Sequence, residues 1–206
     1  MLPVLNANRA PTDVHLTLCL THDCNLRCTY CYGGRKQARA MSAEIARLAI
    51  DRCLARVSQR MHLVFFGGEP LLRWQDLVAF TGYARQQAIA TSVEVRPTVT
   101  TNGTQLDDER VAWLAAERFL VAVSCDGARA AHDRNRRDAA GGSTYDTTTA
   151  AIRRCLAAGL RLRVVMVLDP SNVEWLPESV SALVALGARE LVVNVNWAAD
   201  WAPDSV

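Results

Sequence analysis

The sequence predicts an α/β protein, an open and partial TIM-like barrel of about six parallel strand-helix units. Two observations carry this. Short β-branched or apolar runs alternate with segments of helical period along the 206 residues, the pattern of strand-helix units repeated around a parallel sheet. The residues that follow successive runs are rich in Cys, Gly, Asn, Asp and Ser, and parallel barrels and open α/β sheets place ligand chemistry at that carboxyl end of their strands. Half of the residues are hydrophobic, enough to bury a substantial core, so one domain over residues 1–206 is expected.

The first strand is placed near Val14 to Leu20. It leads through a cysteine-bearing segment to a helix in which Ile45, Leu48, Ala49, Cys53 and Val57 repeat at helical spacing. The second strand, near His62 to Phe66, passes through Gly67-Gly68-Glu69-Pro70 into a helix from Trp74. The third, near Val93 to Val99, ends in Thr100-Thr101-Asn102-Gly103 before a helix from Asp107, and the fourth, near Phe119 to Ser124, ends in Ser124-Cys125-Asp126-Gly127 before a helix from Tyr145. The fifth covers Arg161 to Leu168 and is followed by a helix from Glu174, with Pro177 near its start and Gly187 just past its end, as helix punctuation predicts. The sixth lies near Glu190 to Asn196, an edge strand exposed to pairing with another chain. Several runs are apolar throughout, as strands covered on both faces should be.

Charge excludes more than it identifies. The formal charge is +2, and a single lysine, Lys36, stands beside 22 arginines with no concentrated basic tract, so no nucleic-acid partner is expected. No run of about eighteen apolar residues occurs, and the N-terminus lacks an export-signal pattern; no membrane association and a cytoplasmic location are therefore expected. Of seven cysteines, Cys19, Cys53, Cys125 and Cys155 are scattered in apolar contexts and read as buried free thiols.

The other three form Cys24-Asn-Leu-Arg-Cys28-Thr-Tyr-Cys31, a C-x3-C-x2-C spacing. Three thiolates are one too few for a closed four-iron, four-sulfur cluster, which leaves one iron open to a small bidentate ligand. The competing reading is a partial zinc site completed by His22, although zinc sites more often pair C-x2-C units on two knuckles. Gly67 and Gly68 lack a Cβ and let a ligand approach the backbone, while Glu69 offers a carboxylate to a cationic amine; alone, the four residues would be a turn before a helix. Ser124 offers a hydroxyl at a strand end, and Arg136 a planar cation for a carboxylate, chemistry that Arg134 and Arg137 share. His132 and Asp133 read as a surface loop contact before an acid-base pair, and Thr101 and Asn102 as unassigned turn residues. The Trp197 to Trp201 region faces either the site or a surface that further sequence would cover.

The cysteine spacing, with Tyr30 before the third Cys, and Phe-Gly-Gly-Glu-Pro-Leu after the second strand resemble the radical S-adenosylmethionine (radical SAM) superfamily over about Val14 to Asn196. The runs at Ser124 to Gly127, His132 to Arg136 and Gly142 to Asp146 look like its peptide- and protein-modifying branch, which includes anaerobic sulfatase maturases. The resemblance implies that Cys24, Cys28 and Cys31 hold a [4Fe-4S] cluster whose open iron is chelated by the methionyl group of S-adenosyl-L-methionine. It further implies reductive cleavage to a 5'-deoxyadenosyl radical that abstracts hydrogen from a peptide or protein in a maturation pathway. Tyr30 is then expected beside the adenine, and Gly68, Glu69, Ser124 and Arg136 at the cofactor, with the family alignment choosing Arg136 among the arginines. A flavodoxin or ferredoxin is the implied electron donor. Maturases of that branch usually continue into a cysteine-rich extension with auxiliary clusters, which this sequence, ending at Val206, does not contain. Hence the chain is read as a radical SAM core that is C-terminally truncated relative to them. The alternative reading is a cluster-bearing binding or scaffold subunit without a complete substrate site.

Overall fold

The computed structural model describes residues 10–201. Its strands are β1 (Asp13–Thr21), β2 (Arg60–Gly67), β3 (Glu94–Thr101), β4 (Leu120–Ser124), β5 (Arg161–Leu168) and β6 (Leu191–Val195), paired in sequence order in one sheet. All five pairings are parallel. Between them run α1 (Ala43–Leu54), α2 (Trp74–Thr91), α3 (Asp108–Ala116), α4 (Arg129–Asn135), α5 (Tyr145–Ala157) and α6 (Leu176–Ala185). An open α/β sheet of six parallel strands is thus what forms. The expected strands lie within two residues of these bounds, while α4 and the 3₁₀ turns at Pro70–Arg73 and Val173–Trp175 lie outside the expectation.

One face of the sheet packs on the helices. Leu18, Leu20, Met61, Leu63, Phe65, Val99, Val121, Val123, Val164 and Met166 alternate along their strands and are buried against Ile50, Leu77, Phe80, Leu114, Ile152 and Leu183. Phe65 and Phe119 stack within this layer at 6.1 Å. The opposite face is only half-buried along β2, β3 and β5, so the expectation of strands covered on both faces is corrected. Alternation also corrects the reading of Cys19 as a core thiol, because it points away from Leu18 and Leu20 and is exposed. Cys125 and Cys155 are buried as expected, and burial pushes each thiol up to about 11. Cys53 is half-buried.

Helix α1 begins where Ser42 Oγ accepts the Ile45 N–H at 3.3 Å, and α3 where Asp107 accepts from Arg110 N at 2.8 Å. The face α1 buries is Ala46, Ile50 and Leu54. Ile45 and Leu48, assigned to that face from periodicity, are exposed. Among the described residues no helix is long and apolar enough to cross a membrane.

Candidate functional site

The carboxyl ends of β1 to β4 deliver the cysteine segment, Gly67 to Glu69, Thr101 to Thr104 and Ser124 to Asp126 to one rim of the sheet. The cysteine loop is tied down at several points. Asp23 N–H donates to Thr21 Oγ1 at 3.0 Å, Cys24 N–H to Asp23 Oδ1 at 2.8 Å, and Arg27 Nη1 to the carbonyls of Cys24 and Leu26 at 2.6 and 2.9 Å. On its far side Arg27 N and Thr29 N donate to the carbonyls of Arg137 and Asn135 at 2.7 and 3.0 Å. Leu26 anchors the loop as a fully buried side chain.

Cys24 is buried, Cys28 and Cys31 half-buried, and burial pushes the Cys24 and Cys28 thiols up. Nitrogen donors are aimed at the sulfurs. Leu26 N–H and Asn102 Nδ2 point to Cys24 Sγ at 3.4 and 3.8 Å, and Lys36 Nζ lies 2.7 Å from Cys31 Sγ. Three thiols on one loop with donors directed at two of them, Cys24 and Cys31, match the chemistry of an iron-sulfur ligand set, whose sulfurs are tuned by such bonds. Among the described residues no three His, Cys, Asp or Glu side chains converge on a single metal ion, and His22 is exposed, so the zinc reading has no assembled site.

The two glycines lie against the backbone of the cysteine loop. A Cβ at Gly68 would meet the Asp23 carbonyl oxygen at 2.0 Å, and one at Gly67, where φ is +130°, the Thr21 oxygen at 2.4 Å. What approaches them closely is the backbone of the cysteine loop itself. That contact is sealed by Gly68 N donating to Thr21 O at 2.7 Å and Glu69 N to Asp23 O at 2.8 Å.

Glu69 is almost wholly buried, and its carboxylate already accepts three hydrogen bonds. Oε1 takes Leu71 N–H at 3.0 Å and Thr101 Oγ1 at 2.7 Å; Oε2 takes Asn102 N–H at 2.7 Å. Burial raises its pKa and these donors oppose the rise. A carboxylate has about four acceptor positions, which leaves roughly one for a cofactor amine. Glu69 is first a latch between the ends of β2 and β3. Asn102 extends the latch to the cysteine loop, donating to Asn25 Oδ1 at 2.9 Å, and Asn25 in turn donates to Thr104 Oγ1 at 2.8 Å.

Across the rim, Arg136 is buried while Arg134 and Arg137 are exposed. Its Nε lies 3.1 Å from Asp126 Oδ2 yet off the line of a hydrogen bond, and no hydrogen bond from its Nη nitrogens is found among the described residues. Burial is the largest single effect and disfavours the guanidinium charge, but the combined fields of Asp126, Tyr30, Cys28 and Cys125 outweigh it and push the pKa up. Its Cζ sits 5.3 Å from the centroid of the Tyr30 ring, whose hydroxyl donates to Asp126 Oδ2. Asp126 Oδ1 accepts Val167 N–H at 3.1 Å, fastening β5 to the same point. Tyr30 is therefore clamped by Asp126 at its hydroxyl and by Arg136 at its face. Ser124 is half-buried and makes no side-chain hydrogen bond among the described residues.

Sequence reasoning missed Asp126, Asn102 and Lys36 as members of the site. Asp126 and Asn102 stood in quoted motifs, but their partners lie at distances in sequence that only the fold closes. His132 corrects another expectation. It is fully buried, neither a surface contact nor paired with Asp133, which instead accepts from Ser143 Oγ at 2.7 Å. Trp197 is exposed, and Trp201 donates its indole N–H to the Asn196 carbonyl at 2.8 Å.

Comparison with known proteins adds four findings. The family described as the Radical SAM superfamily matches residues 18–183. The cysteine-type anaerobic sulfatase-maturating enzyme of Clostridium perfringens strain 13 is 28% identical over 129 residues, 59% of this chain and 35% of that protein. The Fe-coproporphyrin III synthase of Methanosarcina barkeri is 29% identical over 162 residues, 77% of this chain and 38% of that protein. Among solved structures, native anSMEcpe with bound AdoMet and Kp18Cys peptide superposes with a TM-score of 0.83 at 22% identity, covering 89% of this chain and 51% of that one. The chain spans about a third to a half of the length of these proteins.

Proposed function

Because this chain belongs to the radical SAM superfamily, whose cofactors are a [4Fe-4S] cluster and S-adenosyl-L-methionine, we propose that it is the core of an enzyme that abstracts hydrogen from a peptide or protein substrate in a maturation pathway. The observation that carries this reading is one rim holding both a three-thiol loop and, next to it, the buried guanidinium of Arg136, whose Nη nitrogens make no hydrogen bond among the described residues. When bound, the cluster and cofactor supply an electron and a carbon radical.

The chain's own residues do the rest. Cys24, Cys28 and Cys31 ligate, with Leu26 N–H and Asn102 directed at the first sulfur. Arg136 is held rigid by Asp126 and Tyr30, so its planar fork meets a carboxylate with little ordering cost. Tyr30 presents the remaining area of its ring to an adenine, and Ser124 its unspent hydroxyl to a polar edge. Gly68 brings the second-strand loop against the cysteine loop, and Glu69 fixes that loop while offering roughly one further acceptor position. A flavodoxin or ferredoxin is the proposed electron donor.

A peptide substrate is supported by the maturase names among the relatives and by the peptide-bound neighbour, while the porphyrin synthase is the relative that argues for another substrate class. The alternative is a cluster-bearing binding or scaffold subunit without its own complete substrate site. The test is anaerobic reconstitution with iron and sulfide, then assay of reductant-dependent 5'-deoxyadenosine with and without sulfatase-derived peptides. Cleavage that depends on all three motif cysteines supports the enzyme. Cluster assembly with cofactor binding but no cleavage would favour the scaffold, and no cluster at all would overturn both.

A further inference from the structure

Lys36 is the chain's single lysine, and the segment that carries it is folded back over the cysteine loop. Residues 37 to 41 return antiparallel to the end of β1. His22 N donates to Arg39 O at 2.9 Å, Gln37 N to His22 O at 3.5 Å, Met41 N to Leu20 O at 3.0 Å, and Thr21 Oγ1 to Arg39 O at 3.1 Å. The backbone on either side is therefore pinned, by Gly34 N donating to Cys31 O at 3.4 Å before Lys36 and by Gln37 directly after it. From this fixed stem the half-buried side chain reaches Cys31 Sγ at 2.7 Å. A Cβ at Gly33 would lie 3.6 Å from both Nζ and Sγ, so the turn passes over the pair and partly shields it from water. An exposed lysine would spend its charge on solvent. This one is directed at a ligand sulfur.

We propose that Lys36 is a positioning residue that tunes the cluster, its ammonium donating to the Cys31 sulfur and favouring the reduced state. The inference rests on the reading of Cys24, Cys28 and Cys31 as cluster ligands. One-electron reduction by an added low-potential donor such as dithionite puts one further negative charge on the cluster and moves no proton. A cation at a ligand sulfur stabilises that charge, and hydrogen bonds to sulfur together with net charge are among the factors that set iron-sulfur potentials. Arg35, its exposed neighbour, has no such contact among the described residues.

The experiment is an anaerobic redox titration, followed by electron paramagnetic resonance, of the reconstituted chain and of Lys36→Met, Lys36→Arg and Arg35→Met, with iron counted in each. At the potential where the parent is half-reduced, Lys36→Met is expected to retain its iron while its reduced-to-oxidised ratio falls about tenfold, equivalent to about 59 mV for one electron. Lys36→Arg should recover most of the ratio, and Arg35→Met should stay within about twofold of the parent. A Lys36→Met ratio within twofold of the parent overturns the proposal, as does an equal fall in Arg35→Met. Loss of iron in Lys36→Met also overturns it, in favour of a role in assembly. A parent chain that takes up no cluster is a separate failure, that of the functional reading itself.

Discussion

Glu69 shows how a motif residue divides its capacity. With three donors on its carboxylate and almost no exposure, truncation leaves Leu71 N–H, Asn102 N–H and the Thr101 hydroxyl without their acceptor. Each such loss costs about 1–3 kcal/mol, so Glu69→Ala is expected to destabilise the metal-free chain by about 3 kcal/mol or more in urea unfolding. An unchanged midpoint would remove the latch. The three neighbouring arginines separate in the same way. Arg136→Ala should weaken S-adenosylmethionine binding in an anaerobic titration about tenfold or more, the size of one lost charge-assisted hydrogen bond, while Arg137→Ala should leave it within about twofold. Arg137 is exposed, and among the described residues its side chain reaches only the Gly141 carbonyl, at 3.2 Å. The reverse ranking would show that Asp126 has already consumed the charge of Arg136. Burial is what distinguishes these arginines, and burial is invisible in Arg134-Asn135-Arg136-Arg137 read as letters.

At the scale of elements, the junction of α4 with α5 holds a histidine whose protonation can be worked out from its neighbours. Thr144 Oγ1 spends its only proton on the Arg136 carbonyl at 2.8 Å, so the 3.0 Å contact with His132 Nε2 requires that nitrogen to donate. Nδ1 is then unprotonated, buried and without a partner among the described residues. Burial, followed by the fields of Arg136 and Arg129, lowers the pKa from 6.5 to about 3. Below pH 6.5 the unfolded chain binds a proton that the folded chain refuses, so stability falls by up to about 1.4 kcal/mol per unit as the pH drops from 6.5 toward 3. His132→Gln should flatten that slope in urea titrations between pH 6.5 and 4.5; parallel slopes would mean the ring already titrates in the fold. The elements themselves were largely legible, because β-branched runs and cap residues such as Asp107 act locally. Helix α4 was not, since it is short and its N-cap, Ala128, makes no side-chain capping bond. Nor was the outward turn of Ile45. In the candidate site the cysteine trio stands out by its spacing in the sequence, whereas the ties Glu69 to Asn102 and Tyr30 to Asp126 join strand ends that only the folded sheet brings together.

For the whole molecule, the hydrophobic core lies between the sheet and its helices and includes none of Cys24, Cys28 and Cys31. Folding and loading should accordingly be separable. After exhaustive chelation the chain is expected to keep its far-ultraviolet circular dichroism and a cooperative thermal transition, with loading raising the midpoint only by the usual mass action of ligand on the native state. A chelated chain that lost its secondary structure would instead place it with small metal-dependent domains, which fold only around their ion. The close contact at Gly68 carries this further. With 2.0 Å between the position of a Cβ and the Asp23 oxygen, even one added methyl must push the second-strand loop off the first, and the Thr21 and Asp23 carbonyls would lose their donors together. Gly68→Ala would act as a wedge under the cysteine loop, a lesion that removes no sulfur yet should show as slower and less complete iron uptake in a chain whose core still melts as one.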